Sequence, residues 1–134
     1  MQALRLGAIL LGIPIPWHLT LFIFIAMIVG TAGWFFLLST IAFLIRLNDT
    51  FTTVINVMYF VLMFLSSVFY PLERVPAWVR SIALINPLTW HTDILRYLTL
   101  GIGQLQHILL EAAGFVGFSL LAFWLAIRTL QKTI

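Results

Sequence analysis

An all-α, polytopic membrane fold follows from three features of this sequence: its hydropathy, its long uncharged runs, and the prolines that separate them. Of 134 residues, 63% are hydrophobic and 8% charged, and the mean hydropathy is +1.13. Soluble domains carry about 25% charged residues, so these few charges cannot coat a water-soluble globule of this size. Three runs are long and apolar enough to cross a hydrocarbon core, which takes about 20 residues. None of them alternates apolar with polar residues, as the strands of a membrane barrel would, so the predicted spans are helices.

The elements follow in chain order. Arg5 and the apolar residues after it have the look of a signal-peptide start, but no small-residue cleavage pattern follows and apolar character resumes after Pro16. Residues 3–13 are too short to cross and are stopped by Pro14 and Pro16. They read either as an interfacial segment or, preferably, as the end of a span that begins before this chain. Residues 19–45 carry no charge and form the first full span, closed by Arg46, Asn48 and Asp49. Residues 50–71 form the second, closed at Pro71 because proline lacks an amide donor and disfavours helix in the residue before it. The turn between the two spans is short, so they are expected to be antiparallel neighbours. Residues 108–127 form the third, with Glu111 in its first turn and Arg128 and Lys132 beyond it.

Between the second and third spans, residues 72–105 are neither a span nor a simple loop. Pro76 suits a helix start and residues 77–85 follow it. Asn86 is a natural N-cap with Pro87 at the first helical position, and Gly101 is a natural C-cap. Two short amphipathic helices result, at the membrane surface or dipping into it, with Trp78, Trp90 and Tyr97 suited to the headgroup level. The positive-inside comparison ties: Arg46, Arg128 and Lys132 share one side, Arg74, Arg80 and Arg96 the other.

Several function classes are disfavoured. The chain has no cysteine, so it has neither disulfide nor thiolate chemistry. Its formal charge of +3 comes from scattered residues and leaves no footprint for nucleic acid. His18, His91 and His107 have no metal-ligand spacing, and no hydrolase elbow or zinc-protease helix is present. No phosphate-binding glycine loop ending in Lys-Ser or Lys-Thr occurs, so no cofactor is expected in this chain and any ATP must be bound elsewhere.

One ordered pattern is more specific. It runs Leu65-Ser66-Ser67-Val68-Phe69-Tyr70-Pro71-Leu72-Glu73-Arg74-Val75-Pro76-Ala77-Trp78, then Asn86-Pro87-Leu88-Thr89, then Asp93 and Arg96. It resembles the C-terminal part of the membrane subunit of ABC-2-type exporters. Trp90 stands where that family commonly has tyrosine, and His91 is not expected from the pattern. The resemblance implies a single transmembrane domain, of which residues 1–134 are the C-terminal part. Residues 3–13 would be the tail of its third span and the three full spans its fourth to sixth. It also breaks the charge tie: Arg46, Arg128 and Lys132 would be cytoplasmic, and the two short helices before the last span external. It further implies a multi-pass protein of the bacterial inner (cytoplasmic) membrane, a second permease copy or homologue, and a separate cytoplasmic ATPase. Such a subunit exports drugs, lipids, polysaccharides or lipooligosaccharides. The alternative from another class is a non-transporting membrane assembly factor or anchor.

Candidate site residues follow from this pattern. Pro71, Glu73, Arg74, Pro76, Asn86, Pro87, Asp93 and Arg96 are candidates for an external gate. Glu73 and Arg74 fit either a transport exit or a solvated pair at a turn, with the turn favoured. Asp93 and Arg96, at i and i+3, fit a structural ion pair better than a substrate contact. Asn56 and Glu111 are the candidate intramembrane polar residues. Asn56, with Ser66 and Ser67, is expected to hydrogen-bond between helices. Glu111 fits a boundary anchor, paired with His107, better than a proton relay. Gly30, Thr31 and Gly33 are expected to let helices approach closely.

Overall fold

The computed structural model describes residues 7, 10–12 and 16–133. Most of the predicted 3–13 segment lies outside the described residues. Among the described residues there are five α-helices and no strand: α1 (Trp17–Leu44), α2 (Asn48–Phe64), α3 (Ala77–Leu84), α4 (Pro87–Leu100) and α5 (Leu105–Thr133), with a 3₁₀ turn at Leu72–Arg74.

α1 and α5 are each long and apolar enough to cross a membrane. They pack along a seam set by seven-residue spacing. The buried residues of α1 are Ile23, Gly30, Gly33 and Thr40; the apolar buried ones of α5 are Ile108, Phe115, Ala122 and Ala126. Such spacing keeps one stripe of each helix facing its neighbour. The seam is close because small residues line it: a Cβ on Gly33 would lie 2.4 Å from the Ser119 hydroxyl. Thr31, expected to share this role, is exposed instead. Further along, Trp34 meets Phe118 at 5.3 Å and Phe36 meets Phe123 at 4.9 Å between ring centroids. Both series of contacts rise in number together, so α1 and α5 run parallel. The chain must therefore return between them.

α2 begins that return, and here the sequence prediction is corrected. An uninterrupted span over 50–71 was expected, but the helix has 17 residues and ends at Phe64. At about 1.5 Å per residue it rises roughly 25 Å, short of a ~30 Å core. Among the described residues two helices rather than three meet the span criterion by length and composition. The helix stops because other groups take the hydrogen bonds that would continue it. The Leu62 and Leu65 carbonyls accept from the Asn86 side chain at 2.8 and 2.9 Å. The Ser67 amide donates to the Thr89 hydroxyl at 3.2 Å. Non-helical backbone at membrane depth persists only where its polar groups are satisfied in this way.

The two short helices occur as predicted, each within a residue of its expected end. α4 does not lie flat on a surface. It runs antiparallel to α1 along the first half of that helix: His91 abuts Gly30, and Tyr97 and Leu98 share a cavity wall with Leu19 and Phe22. Trp90 covers Gly114 of α5. α4 is thus packed into the angle between α1 and α5. Gly101 ends α4 in the left-handed conformation (φ 68°), its amide donating to the Tyr97 carbonyl.

Candidate functional site

The break in α2 is held by one face of α4. Asn86, Thr89, Asp93 and Arg96 fall at i, i+3, i+7 and i+10, which places all four on one stripe. All four reach the chain between Leu62 and Ser67.

Asn86 serves two helices at once. Its Oδ1 accepts from the Leu88 amide at 2.9 Å and caps the start of α4. Its Nδ2 donates to the last carbonyls of α2. The residue is buried, so each of these bonds is shielded from water. Pro87 suits the first position of α4 because no amide is needed there. Thr89 is fully buried, and its hydroxyl accepts from the Ser67 amide. Asp93 accepts from the Ser67 hydroxyl at 2.7 Å and from Arg96 Nη1 at 3.0 Å. Arg96 Nη2 donates to the Ser67 carbonyl at 3.0 Å. Ser67 is therefore bound through its amide, carbonyl and hydroxyl. Ser66, also fully buried, donates to the Met63 carbonyl at 2.8 Å and accepts from the Val68 amide. Tyr70 donates its hydroxyl to the Phe64 carbonyl, closing the turn on itself.

The other candidates are spread around this clamp. Pro71 is the N-cap of the 3₁₀ turn and Pro76 the N-cap of α3. Pro76 sits one position before the helix rather than in its first turn. Glu73 and Arg74 are exposed and form no ion pair with each other; among the described residues the ion pair is Asp93–Arg96. The turn they occupy is held instead by Arg80, which donates to the Leu72 and Glu73 carbonyls at 2.8 and 3.0 Å. Glu73, Asp93 and Arg96 border one open cavity of about 370 Å³, which Ile102 also lines. Asn56 lies on the exposed side of α2, apart from the clamp. Glu111 is half-buried in the second turn of α5; its Oε2 is buried without a hydrogen-bond partner, and it makes no ion pair with the exposed His107.

Thr89 escaped selection as a site residue because short hydroxyl side chains in apolar helices usually bond their own backbone; Ser67, expected to hydrogen-bond between helices, bonds to Thr89 and Asp93 of α4. The four-residue stripe on α4 was the available signal. Trp90 now has a defined place. Its indole N–H donates to the Leu84 carbonyl at 2.7 Å and ties the end of α3 to α4. A tyrosine there would direct its hydroxyl from the far end of its ring and could not reproduce this geometry unchanged.

The fold and the clamp define a polytopic helical membrane protein in which α4 holds the end of the short helix α2. The match to the family model described as ABC-2 type transporter covers residues 1–100, well over half of the chain and the whole of the clamp. The chain belongs to that family. It is a membrane permease component of an ABC transporter, a transporter part and not itself a catalyst. No curated protein and no solved structure matches it.

Proposed function

We propose that this chain forms the C-terminal part of the permease of an ATP-driven exporter. In this reading the clamp on Ser67 is the external gate. The observation that supports it is the clamp itself. Asn86, Thr89, Asp93 and Arg96 of the family pattern converge on Ser67, just past the place where α2 stops short of a full span. Broken helices in transporters place polar backbone where a path must open. Here Asn86, Thr89, Asp93 and Arg96 hold that backbone shut, and the cavity bordered by Glu73, Asp93 and Arg96 lies beside it.

The cargo is a bulky amphipathic compound: a drug, a lipid, or a polysaccharide or lipooligosaccharide. The apolar faces of α1 and α2 offer a wall for its hydrophobic part, and the open cavity a place for its headgroup. ATP is bound and hydrolysed by a separate cytoplasmic cassette subunit, and a second permease copy or homologue completes the path. The membrane is the bacterial inner membrane, with residues 70–103 on its external side and Arg46, Arg128 and Lys132 on the cytoplasmic side. Residues 3–13 would be the tail of a preceding span, and the break would divide the predicted 50–71 span.

Two measurements test this. The full-length protein, extracted in mild detergent, should co-purify with an ATP-binding cassette subunit; repeated failure to do so would favour a non-transporting anchor. The absence of native cysteine allows single-cysteine topology mapping. A cysteine at position 80 should label from outside the cell and one at position 48 should not. Labelling of position 48 from outside would reverse the orientation.

A further inference from the structure

His91 belongs to α4 but takes no part in the clamp. Its ring enters a notch in α1 made by a missing side chain. A Cβ on Gly30 would lie 2.3 Å from His91 Nε2 and 2.4 Å from Cε1, so the seated ring and a side chain at position 30 exclude each other. The opposite side of the ring stacks on Phe115 of α5, with centroids 5.0 Å apart and planes at 21°. Nε2 is buried and has no hydrogen-bond partner. Two apolar cavities, of about 420 and 350 Å³, meet at this ring.

The elements packed around the ring carry few charged groups. α1 carries no charged residue, and its one titratable group, His18, is more than three turns from Gly30. α2 contributes Tyr59 to the shared cavity wall. α5 contributes Glu111, one turn before Phe115. On α4 itself, Asp93 and Arg96 are already paired with each other. A second proton on the seated ring would find no acceptor at Nε2.

We propose that His91 is a pH-sensitive plug: uncharged, it seats α4 in the Gly30 notch of α1, and charged, it leaves the notch and loosens α4. The direction follows from linkage. The seated ring has no acceptor for a proton on Nε2, whereas an imidazole in water takes one up near its ordinary value of about 6.5. The seated form is therefore favoured above that value and loses ground as pH falls below it. The plug does not depend on what the permease carries.

The test uses the full-length protein in detergent, with thermal midpoints measured at pH 7.5 and 5.5. Wild type should lose several degrees on acidification, while His91→Phe and His91→Gln should lose markedly less. Gly30→Ala should already have a lowered midpoint at pH 7.5 and little further response to acid. Parallel losses in wild type and both His91 variants overturn the proposal, as does a full acid response in Gly30→Ala. If the variants fail to fold, a single cysteine at Ala26 in the otherwise wild-type chain decides. Its labelling rate, relative to that of a cysteine at the exposed Ile102, should rise several-fold at pH 5.5. An unchanged ratio overturns the plug.

Discussion

Replacing Asn86 separates the two roles of its amide group. Asn86→Ser keeps an oxygen able to cap the Leu88 amide, but its short hydroxyl cannot reach the Leu62 and Leu65 carbonyls. Each lost bond removes about 1 kcal/mol net, and each buried carbonyl left without a donor costs about 1–3 kcal/mol. Water entering at the break places the total near the low end, at roughly 2–4 kcal/mol. Asn86→Ala also removes the N-cap, which adds about 1 kcal/mol. Asn86→Asp keeps the cap but sets a carboxylate oxygen against two carbonyl oxygens, so its loss should exceed that of serine. The readout is a single cysteine replacing the fully buried Ser66. Its maleimide labelling tracks the fraction of molecules in which the break is open. A loss of about 3 kcal/mol corresponds to a roughly 100-fold faster reaction, since each 1.4 kcal/mol is tenfold. The expected order of rates is wild type, then Ser, with Ala and Asp fastest. If Asn86→Asp labels as slowly as wild type, Nδ2 does not hold α2 and the clamp is wrong. Equal rates for Ser and Ala would mean that capping α4 contributes nothing.

Three further outcomes follow from the same geometry. Thr89→Val keeps the shape but removes the acceptor for the Ser67 amide, so it should destabilise by about 1–3 kcal/mol, whereas Thr89→Ser should stay close to wild type; thermal midpoints of the purified variants decide. Arg96→Lys keeps the charge but not the fork that joins the Asp93 carboxylate to the Ser67 carbonyl. It should raise labelling at position 66, and a lysine variant as slow as wild type would show that charge alone suffices. Gly33→Ala forces a Cβ to 2.4 Å from the Ser119 hydroxyl, and overpacking of this kind costs about 1–3 kcal/mol. Adding Ser119→Ala should recover part of the loss, because the next atom is 3.2 Å away; a double-mutant cycle of thermal midpoints without coupling would refute the close seam.

These predictions rest on features of unequal legibility. The sequence by itself determined that the chain is helical and membrane-embedded, because hydropathy and charge density are sums over residues and need no partner. It also determined the ends of α3 and α4. Proline at positions 76 and 87, asparagine at 86 and glycine at 101 act through their own backbone and nearest neighbours, so local chemistry was enough. The pairing of Asp93 with Arg96 was legible for the same reason.

Only the tertiary structure decided where α2 stops. Hydropathy continues unbroken to Pro71, and nothing within residues 50–71 forbids a helix. The groups that end it, Asn86 and Thr89, lie 20 residues or more further along the chain and act through space. The same holds for the polar stripe of α4. An amphipathic pattern says that one face seeks polar company, but not whether water or a broken helix supplies it. His91 in the Gly30 notch is the extreme case. A glycine in a membrane helix announces that something approaches closely, and only the fold says what. Tertiary structure thus turned the second short helix before the last span from a surface feature into the element that holds the end of α2.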